Sequence, residues 1–396
     1  MPIAFDKLGP ILHPVTPEEF LARYHGKAML HVPGTPDKFA HLMSWAKLNA
    51  LLDMDVWSAA TLKMVHDRQN VPAEAYCARS TNRDGQPVLK PKVDRVMALV
   101  RQGASLVCDK IETLTPELSA LGRLLSESLG GRIGMNLYCS WERHQAFNAH
   151  FDTHDVFVFH VEGEKLWNIF EGRIDNPVEH PAFDMPLDQR NQLKGKVQKA
   201  VTLKPGDFLY LPRGQFHEAL ATSPGSVHVT VAVNEPVGLD WLGGLMEMAV
   251  QDPAFRADLP RDRDEAGQAA LAQHRRALAE HLAAMANSPQ ALDMMRGMRA
   301  NPPPRARPYA LPEQKDGKVY RVQSGAVKLV RHGSEWIVKG AAASYALPVN
   351  TERAVAWILE RSSFSATELS VKFGMTGPAC QRVIEMLAKA SIIAGI

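Results

Sequence analysis

A chain of 396 residues, 45% hydrophobic and 22% charged, is long enough for two or three globular domains and too apolar to be a disordered protein. Its formal net charge of +2 gives no general attraction to nucleic acid or to an anionic membrane surface, and no uninterrupted apolar stretch is long enough to span a bilayer. Four scattered cysteines (Cys77, Cys108, Cys139, Cys380) form no CxxC pair, and Met1-Pro-Ile-Ala-Phe-Asp lacks the pattern of a secretion signal, so a cytoplasmic protein with reduced thiols is expected.

Along the chain, the first hundred residues read as short helices and loops. Thr16-Pro17-Glu18-Glu19 is a helix start, with proline at the first helical position and acids in the first turn, and Phe20, Leu21 and Tyr24 are expected to face inward. Leu118 to Leu129 is an amphipathic helix closed by Gly130-Gly131. From Ile133 the pattern turns to strands: Ile133–Tyr138, Asp155–Val161, a Glu162-Gly163-Glu164 turn into Lys165–Phe170, Lys204-Pro-Gly-Asp207 leading into Phe208–Leu211, and Ser226–Val233. Short strands joined by Gly and Pro turns indicate a sandwich or barrel. After Pro236 the chain becomes helical. Leu271, Leu278, Leu282 and Met285 recur at heptad-like spacing between Glu265 and Ala286, which fits an internal seam or a dimer seam. Asn301–Pro308 is a linker, followed by strands at Val319–Val322, Ala326–Val330 and Glu335–Val338 and by helices near Thr351–Glu360, Ala366–Phe373 and Pro378–Lys389. That order is expected to make a winged helix.

The residues that carry chemistry are His150-Phe-Asp152 and His217. Two imidazoles and one carboxylate hold Fe(II) on one face and leave the other open. On a strand, His150 and Asp152, two apart, would point to the same side, and His217 would complete the set from a second segment. An HxD pair alone is weak. Here it is joined by Lys165 after a hairpin, by Pro205-Gly206-Asp207 introducing the strand toward His217, and by Asn136 and Tyr138 on one side of the preceding strand.

With its flanks, Asn148-Ala-His-Phe-Asp-Thr-His-Asp and Val161-Glu-Gly-Glu-Lys-Leu-Trp, together with Lys204-Pro-Gly-Asp-Phe-Leu-Tyr-Leu-Pro-Arg-Gly-Gln-Phe-His217, the sequence resembles the JmjC-type ribosomal oxygenases, which are cupin-fold Fe(II)- and 2-oxoglutarate-dependent protein hydroxylases. The resemblance implies an α+β multidomain chain. A double-stranded β-helix (jelly-roll) oxygenase domain would occupy residues 1–235, a helical dimerisation region 236–300, and a linker with a winged-helix-like domain 301–396. It implies that His150, Asp152 and His217 bind Fe(II), that Lys165 pairs with the C5 carboxylate of 2-oxoglutarate, and that Asn136 contacts the cosubstrate near the metal. Tyr138 and Thr230 are further cosubstrate candidates. His228 shares a strand face with Thr230, and either can equally be polar lining; Lys165 has the alternative of a solvated hairpin lysine.

The sequence departs from the family where Ala149 stands for proline and His160 for glutamine, and it adds His144 and His154 near the site. The expected activity is hydroxylation of an arginine or histidine β-carbon in a protein substrate, a ribosomal protein, by a homodimer. Two other readings remain: a cupin metalloenzyme that does not use 2-oxoglutarate, and a regulator acting through the winged helix. Against the second, the basic residues of 351–396 (Arg353, Arg361, Lys372, Arg382, Lys389) are nearly cancelled by Glu352, Glu360, Glu368 and Glu385, so DNA binding is not expected.

Overall fold

The computed structural model describes residues 7–82, 84–141, 147–300, 319–323, 327–339 and 344–395. The expected linker at Asn301–Pro308, and His144, lie outside them. Two compact units result, Met1–Ala306 and Arg307–Ile396.

The first unit is built on thirteen strands: β1 (Leu30–Val32), β2 (Leu62–His66), β3 (Gln69–Asn70), β4 (Cys77–Thr81), β5 (Pro87–Pro91), β6 (Ser105–Asp109), β7 (Arg132–Ser140), β8 (Asp155–Glu162), β9 (Lys165–Arg173), β10 (Val197–Leu203), β11 (Phe208–Leu211), β12 (Gln215–Ala221) and β13 (Ser226–Asn234). An eight-stranded sheet runs β1-β11-β8-β13-β7-β6-β2-β3, and a three-stranded sheet runs β10-β9-β12. The chain passes between the sheets at the β8–β9 hairpin, where Gly163 adopts φ 67° and a Cβ would meet the Gly225 carbonyl at 1.9 Å.

β8 explains why these sheets pack as they do. Its Val156 and Val158 join Trp167 and Ile169 of β9, Val201 and Leu203 of β10, and Leu209 and Leu211 of β11 in one core between the sheets. Its Phe157, Phe159 and Val161 point the other way, into a second core shared with Phe20, Phe39, Leu118, Leu121 and Leu125. A strand buried on both faces must be apolar throughout, hence the run Val-Phe-Val-Phe that alternation alone would not explain.

The N-terminal region departs from the reading of helices and loops, because β1–β5 lie within the first hundred residues and several of them extend the large sheet. β1 pairs with β11 and β2 with β6. All are short; β1 and β2 find their main partners far along the chain, whereas β2–β3 and β4–β5 are local pairs. The helix Pro17–Arg23 forms as expected, with Thr16 Oγ1 accepting from Glu19 N at 3.1 Å. Phe20 is fully buried edge-on against Tyr210 (4.9 Å, 83°), but Leu21 is 45% exposed, because one step along a helix turns a side chain about 100° from its neighbour. Pro116–Leu129 ends on Gly130 at φ 70°. The unit continues with helices Gly238–Gln251, Glu265–Ala286 and Pro289–Ala300.

The second unit has strands Val319–Val322, Lys328–His332, Glu335–Lys339, Ser344–Ala346, Ser363–Ser365 and Ile393–Gly395, with helices Glu352–Leu359, Ala366–Phe373 and Gly377–Lys389. Val355, Ile358, Phe364, Leu369, Val383 and Leu387 form its core. Ser365 and Glu368 cap the middle helix reciprocally. All four cysteines are buried and unbonded, and no helix among the described residues is long and apolar enough to cross a membrane.

Thermal or urea unfolding should separate the two neighbours on the first amphipathic helix. Phe20→Ala should cost roughly 3–5 kcal/mol, while Leu21→Ala should stay within about 0.5 kcal/mol. Equal losses would contradict the orientation of this helix.

Candidate functional site

The site lies between the two sheets, on the inner faces of β7, β8, β9, β12 and β13. Asn136 and Tyr138, Val156, Lys165 and Trp167, His217 and Ala219, and His228, Thr230 and Ala232 line a cavity of about 300 Å³ that also takes in Phe147, His150, Asp152 and His154. On each strand these residues are two apart, and the residues between them serve the outer core: Leu137 and Cys139 on β7, Val227, Val229 and Val231 on β13.

His150 and Asp152 are not on a regular strand, contrary to the sequence reading. His150 forms an isolated bridge with His217, its N–H donating to the His217 carbonyl (3.0 Å) and the His217 N–H to the His150 carbonyl (2.8 Å). Asp152 lies in the irregular segment before β8. It is tied in by Gly214, whose N–H donates to the Asp152 carbonyl at 2.8 Å. Gly214 holds φ 83°, and a Cβ there would stand 1.9 Å from the Ile174 carbonyl. Geometry that strand parity was expected to supply is supplied by cross-chain hydrogen bonds.

The ligand atoms of His150, Asp152 and His217 all lie within 4.8 Å of one another. Nδ1 of His150 is 2.8 Å from the Asn148 carbonyl, and Nδ1 of His217 is 3.0 Å from the Gln215 carbonyl. A carbonyl only accepts, so each Nδ1 carries the proton, and in the neutral rings each Nε2 has a bare lone pair. The His217 Nε2 stands 3.5 Å from Asp152 Oδ2. Burial, reinforced by His150, pushes His217 down to about 4 against the opposing pull of Asp152. Burial alone would raise Asp152, but the imidazoles of His150, His217 and His154 hold it below the usual carboxylate range. The result is two imidazoles and one carboxylate converging without protons between them, a donor set that fits a divalent transition metal. His154 lines the cavity with Nδ1 3.3 Å from the Asp155 carbonyl, and it stands outside the three-ligand cluster.

Lys165 is only 4% exposed. Its Nζ donates to Ser140 Oγ at 3.2 Å, Ser105 Oγ donates to that same oxygen, and Lys165 forms no ion pair among the described residues. Burial lowers it to about 8, so it remains mostly cationic at neutral pH. The alternative of a solvated hairpin lysine is excluded. Register fixes its distance from the ligand cluster: His217 pairs with Ile169 and Ala221 with Lys165, four residues or roughly 13 Å along β9.

The polar wall is arranged around these ends. The Asn136 amide faces two acceptors, the Met135 carbonyl (2.9 Å) and Asp109 Oδ1 (3.2 Å), which assigns its nitrogen to that side. Tyr138 stacks on His228 (5.0 Å, 8°), and burial raises its hydroxyl. His160 is fully buried. Its Nε2 lies 2.9 Å from the Gly163 carbonyl at the β8–β9 turn, which makes it a hairpin brace, and burial pushes it down to about 4. Trp167, absent from the sequence-derived site, stacks on His217 (5.7 Å, 23°). Its position two beyond Lys165 on an inward-facing strand was the signal that could have found it. A second cluster, His25, Asp155 and Glu235, could not have been found from sequence. His25 lies 2.7 Å from Glu235, Tyr210 Oη donates to Asp155 at 2.9 Å, and Arg299 pairs with Glu235, which makes this an ion-pair network.

Residues 114–240 match the family model of the JmjC domain. The chain is 28% identical over 233 residues to the bifunctional lysine-specific demethylase and histidyl-hydroxylase NO66 of Aedes aegypti, a match that takes in 58% of this chain and 34% of that protein. It is 32% identical over 146 residues to ribosomal oxygenase 1 of Homo sapiens, covering 35% of this chain and 22% of that one. It thus spans about a third or less of the length of these curated relatives. Among solved structures, that of YcfD, a ribosomal oxygenase from Escherichia coli, in complex with cobalt and 2-oxoglutarate, aligns with a TM-score of 0.47 at 18% identity, over 96% of this chain and 97% of that one.

The buried neutral histidines make stability depend on pH. As pH falls from 6.5 toward about 4, the unfolded chain takes up protons that His160 and His217 refuse, so the folded state loses ground across that window. His228, held well below the usual imidazole range by burial and by Lys165, acts in the same direction. Urea denaturation of the metal-free protein should give a lower unfolding free energy at pH 5 than at pH 7, by up to roughly 2 kcal/mol per histidine. Equal stability at the two pH values would mean that these rings are not buried neutral.

Proposed function

We propose that this chain, whose residues 114–240 match the JmjC-domain model and which is similar to the ribosomal oxygenases, is an Fe(II)- and 2-oxoglutarate-dependent oxygenase that hydroxylates an amino-acid side chain of a ribosomal protein. The observation that carries this reading is the buried Lys165 in the same cavity as the His150, Asp152 and His217 cluster. A buried cation lacking a carboxylate needs an anionic ligand, and a three-residue metal cluster needs further ligands to fill its open face. One molecule satisfies both: a keto acid that chelates at one end and presents a second carboxylate at the other.

In this reading His150, Asp152 and His217 hold Fe(II) through Nε2, a carboxylate oxygen and Nε2. The metal, when bound, supplies O2 activation coupled to decarboxylation of 2-oxoglutarate to succinate and CO2. The chain's own residues supply the rest. Lys165 binds the far carboxylate, Asn136, Tyr138 and Thr230 line its path, and Phe147, Val156 and Trp167 keep the cavity dry. The substrate side chain would enter past His150, Phe151 and His154, which border a wider cleft of about 800 Å³ edged by Glu179, His180, Asp184 and Arg190. The relatives' names support a ribosomal-protein substrate, and an arginine or a histidine fits that assignment.

The same reading takes the two facing sheets as a double-stranded β-helix, residues 236–300 as a dimerisation region and residues 301–396 as linker and winged-helix-like domain. The homodimer is supported by Leu239, Leu242, Met246 and Val250, which form an exposed apolar stripe on one face of Gly238–Gln251, at 45–65% exposure. That stripe favours a seam on this helix over Glu265–Ala286, where Leu271, Leu278 and Met285 are half-buried and Leu282 is exposed.

Succinate release from 2-oxoglutarate with Fe(II) tests the activity. Asp152→Ala and Lys165→Ala should each lower it at least about 100-fold, and mass spectrometry of ribosomal proteins incubated with the wild type should find one that gains a single oxygen atom. Metal binding without 2-oxoglutarate turnover would favour a cupin enzyme of different chemistry. For the dimer, sedimentation should show Leu239→Glu/Met246→Glu as a monomer; a monomeric wild type would remove the assignment.

A further inference from the structure

Two buried nitrogens of the cavity wall have no hydrogen-bond partner among the described residues: Nε1 of Trp167, a side chain 4% exposed, and Nδ1 of His228, 2% exposed. Both side chains line the cavity that contains Lys165 and the ligand cluster. An N–H taken from water and given no acceptor destabilises the fold, and such groups are rare unless a ligand satisfies them.

Both rings are fixed by packing. The Trp167 indole lies against the His217 imidazole at 5.7 Å, and His228 meets that indole edge-on at 5.6 Å and 78°. His228 is itself stacked between Tyr138 (5.0 Å, 8°) and His160 (6.2 Å, 11°). Neither ring can turn away without undoing a stack. Trp167 is also the next inward residue after Lys165 on β9, and His228 pairs across the sheet with His160 and Tyr138. Burial and the Lys165 cation keep His228 neutral, so one of its ring nitrogens carries a proton. A carboxylate offers about four acceptor positions, and one ammonium group already engaged by Ser140 cannot fill them.

We propose that Trp167 Nε1 and His228 Nδ1 donate hydrogen bonds to the far carboxylate of the dicarboxylate whose charge Lys165 balances, making a three-donor cradle. This rests on the cosubstrate reading above and extends it to two residues that the ligand cluster does not involve. The cradle is selective because its donors are rigid and set for a carboxylate at that end. A keto acid without the far carboxylate leaves both donors unpaired.

The test is calorimetric titration of full-length, Zn(II)-loaded protein with 2-oxoglutarate and with 2-oxobutyrate, which lacks the far carboxylate. Trp167→Phe and His228→Phe keep the stacked rings and remove the donors. Each should weaken 2-oxoglutarate binding about five- to tenfold and leave 2-oxobutyrate binding unchanged. In the unmutated protein, the one of the seven tryptophan indole N–H resonances that is missing in Trp167→Phe should move downfield with 2-oxoglutarate and not with 2-oxobutyrate. Wild-type affinity in both variants, or equal losses for the two keto acids, overturns the cradle. An unstable Trp167→Phe still leaves a decision, since no indole resonance responding to bound 2-oxoglutarate also overturns it. Failure of the unmutated protein to bind 2-oxoglutarate at all removes the cosubstrate reading and the cradle together, whereas binding with unmoved indoles removes only the cradle.

Discussion

The pair of backbone hydrogen bonds between His150 and His217 is the constraint on which the rest of the site depends. The two residues are 67 positions apart, and among the described residues the segment carrying His150 has no strand partner beyond this single bridge. The bridge fixes both side chains on one side of the bonded pair, and the Gly214 N–H fixes Asp152 against the same turn. Only glycine tolerates that turn, because its φ is positive and the Ile174 carbonyl occupies the space of a Cβ. Once these three contacts exist, the imidazole orientations follow from backbone carbonyls that take the Nδ1 protons and leave both Nε2 atoms facing Asp152.

Charge is distributed so that the cavity is incomplete in two ways. One end gathers a carboxylate and two imidazoles; the other holds a cation that, among the described residues, donates to the Ser140 hydroxyl. Neither arrangement stabilises the chain by itself. Burial of Lys165 and of three neutral histidines costs folding free energy that the two apolar cores must offset. The cores are large enough because β8 is apolar on both faces, while β7 and β13 turn apolar side chains outward under the N-terminal segment and the helix Pro116–Leu129 and polar ones inward. The same alternation that stabilises the unit therefore delivers Asn136, Tyr138, His228 and Thr230 to one wall.

Residue identity, short-range spacing and the family resemblance singled out His150, Asp152, Lys165, His217, Asn136, Tyr138 and Thr230, and all seven line one cavity. They also located β7–β9, β11, β13 and the capped helices, because those elements declare themselves through turn glycines, caps and runs of β-branched residues. Beyond that, tertiary structure decided. The short strands β1 and β2 join the large sheet through distant partners, and Leu21 faces water because its place on the helix turns it away from the core that Phe20 enters. The two nearby ligands meet through cross-chain bonds where strand parity was expected. Whether Lys165 is a solvated turn residue or a buried cation, and whether Trp167 and His228 are packing or donors, depends on what lies across the second sheet. That information is non-local: burial and hydrogen-bond partnership are properties of surroundings drawn from the whole chain, whereas a sequence pattern records only what a residue can do.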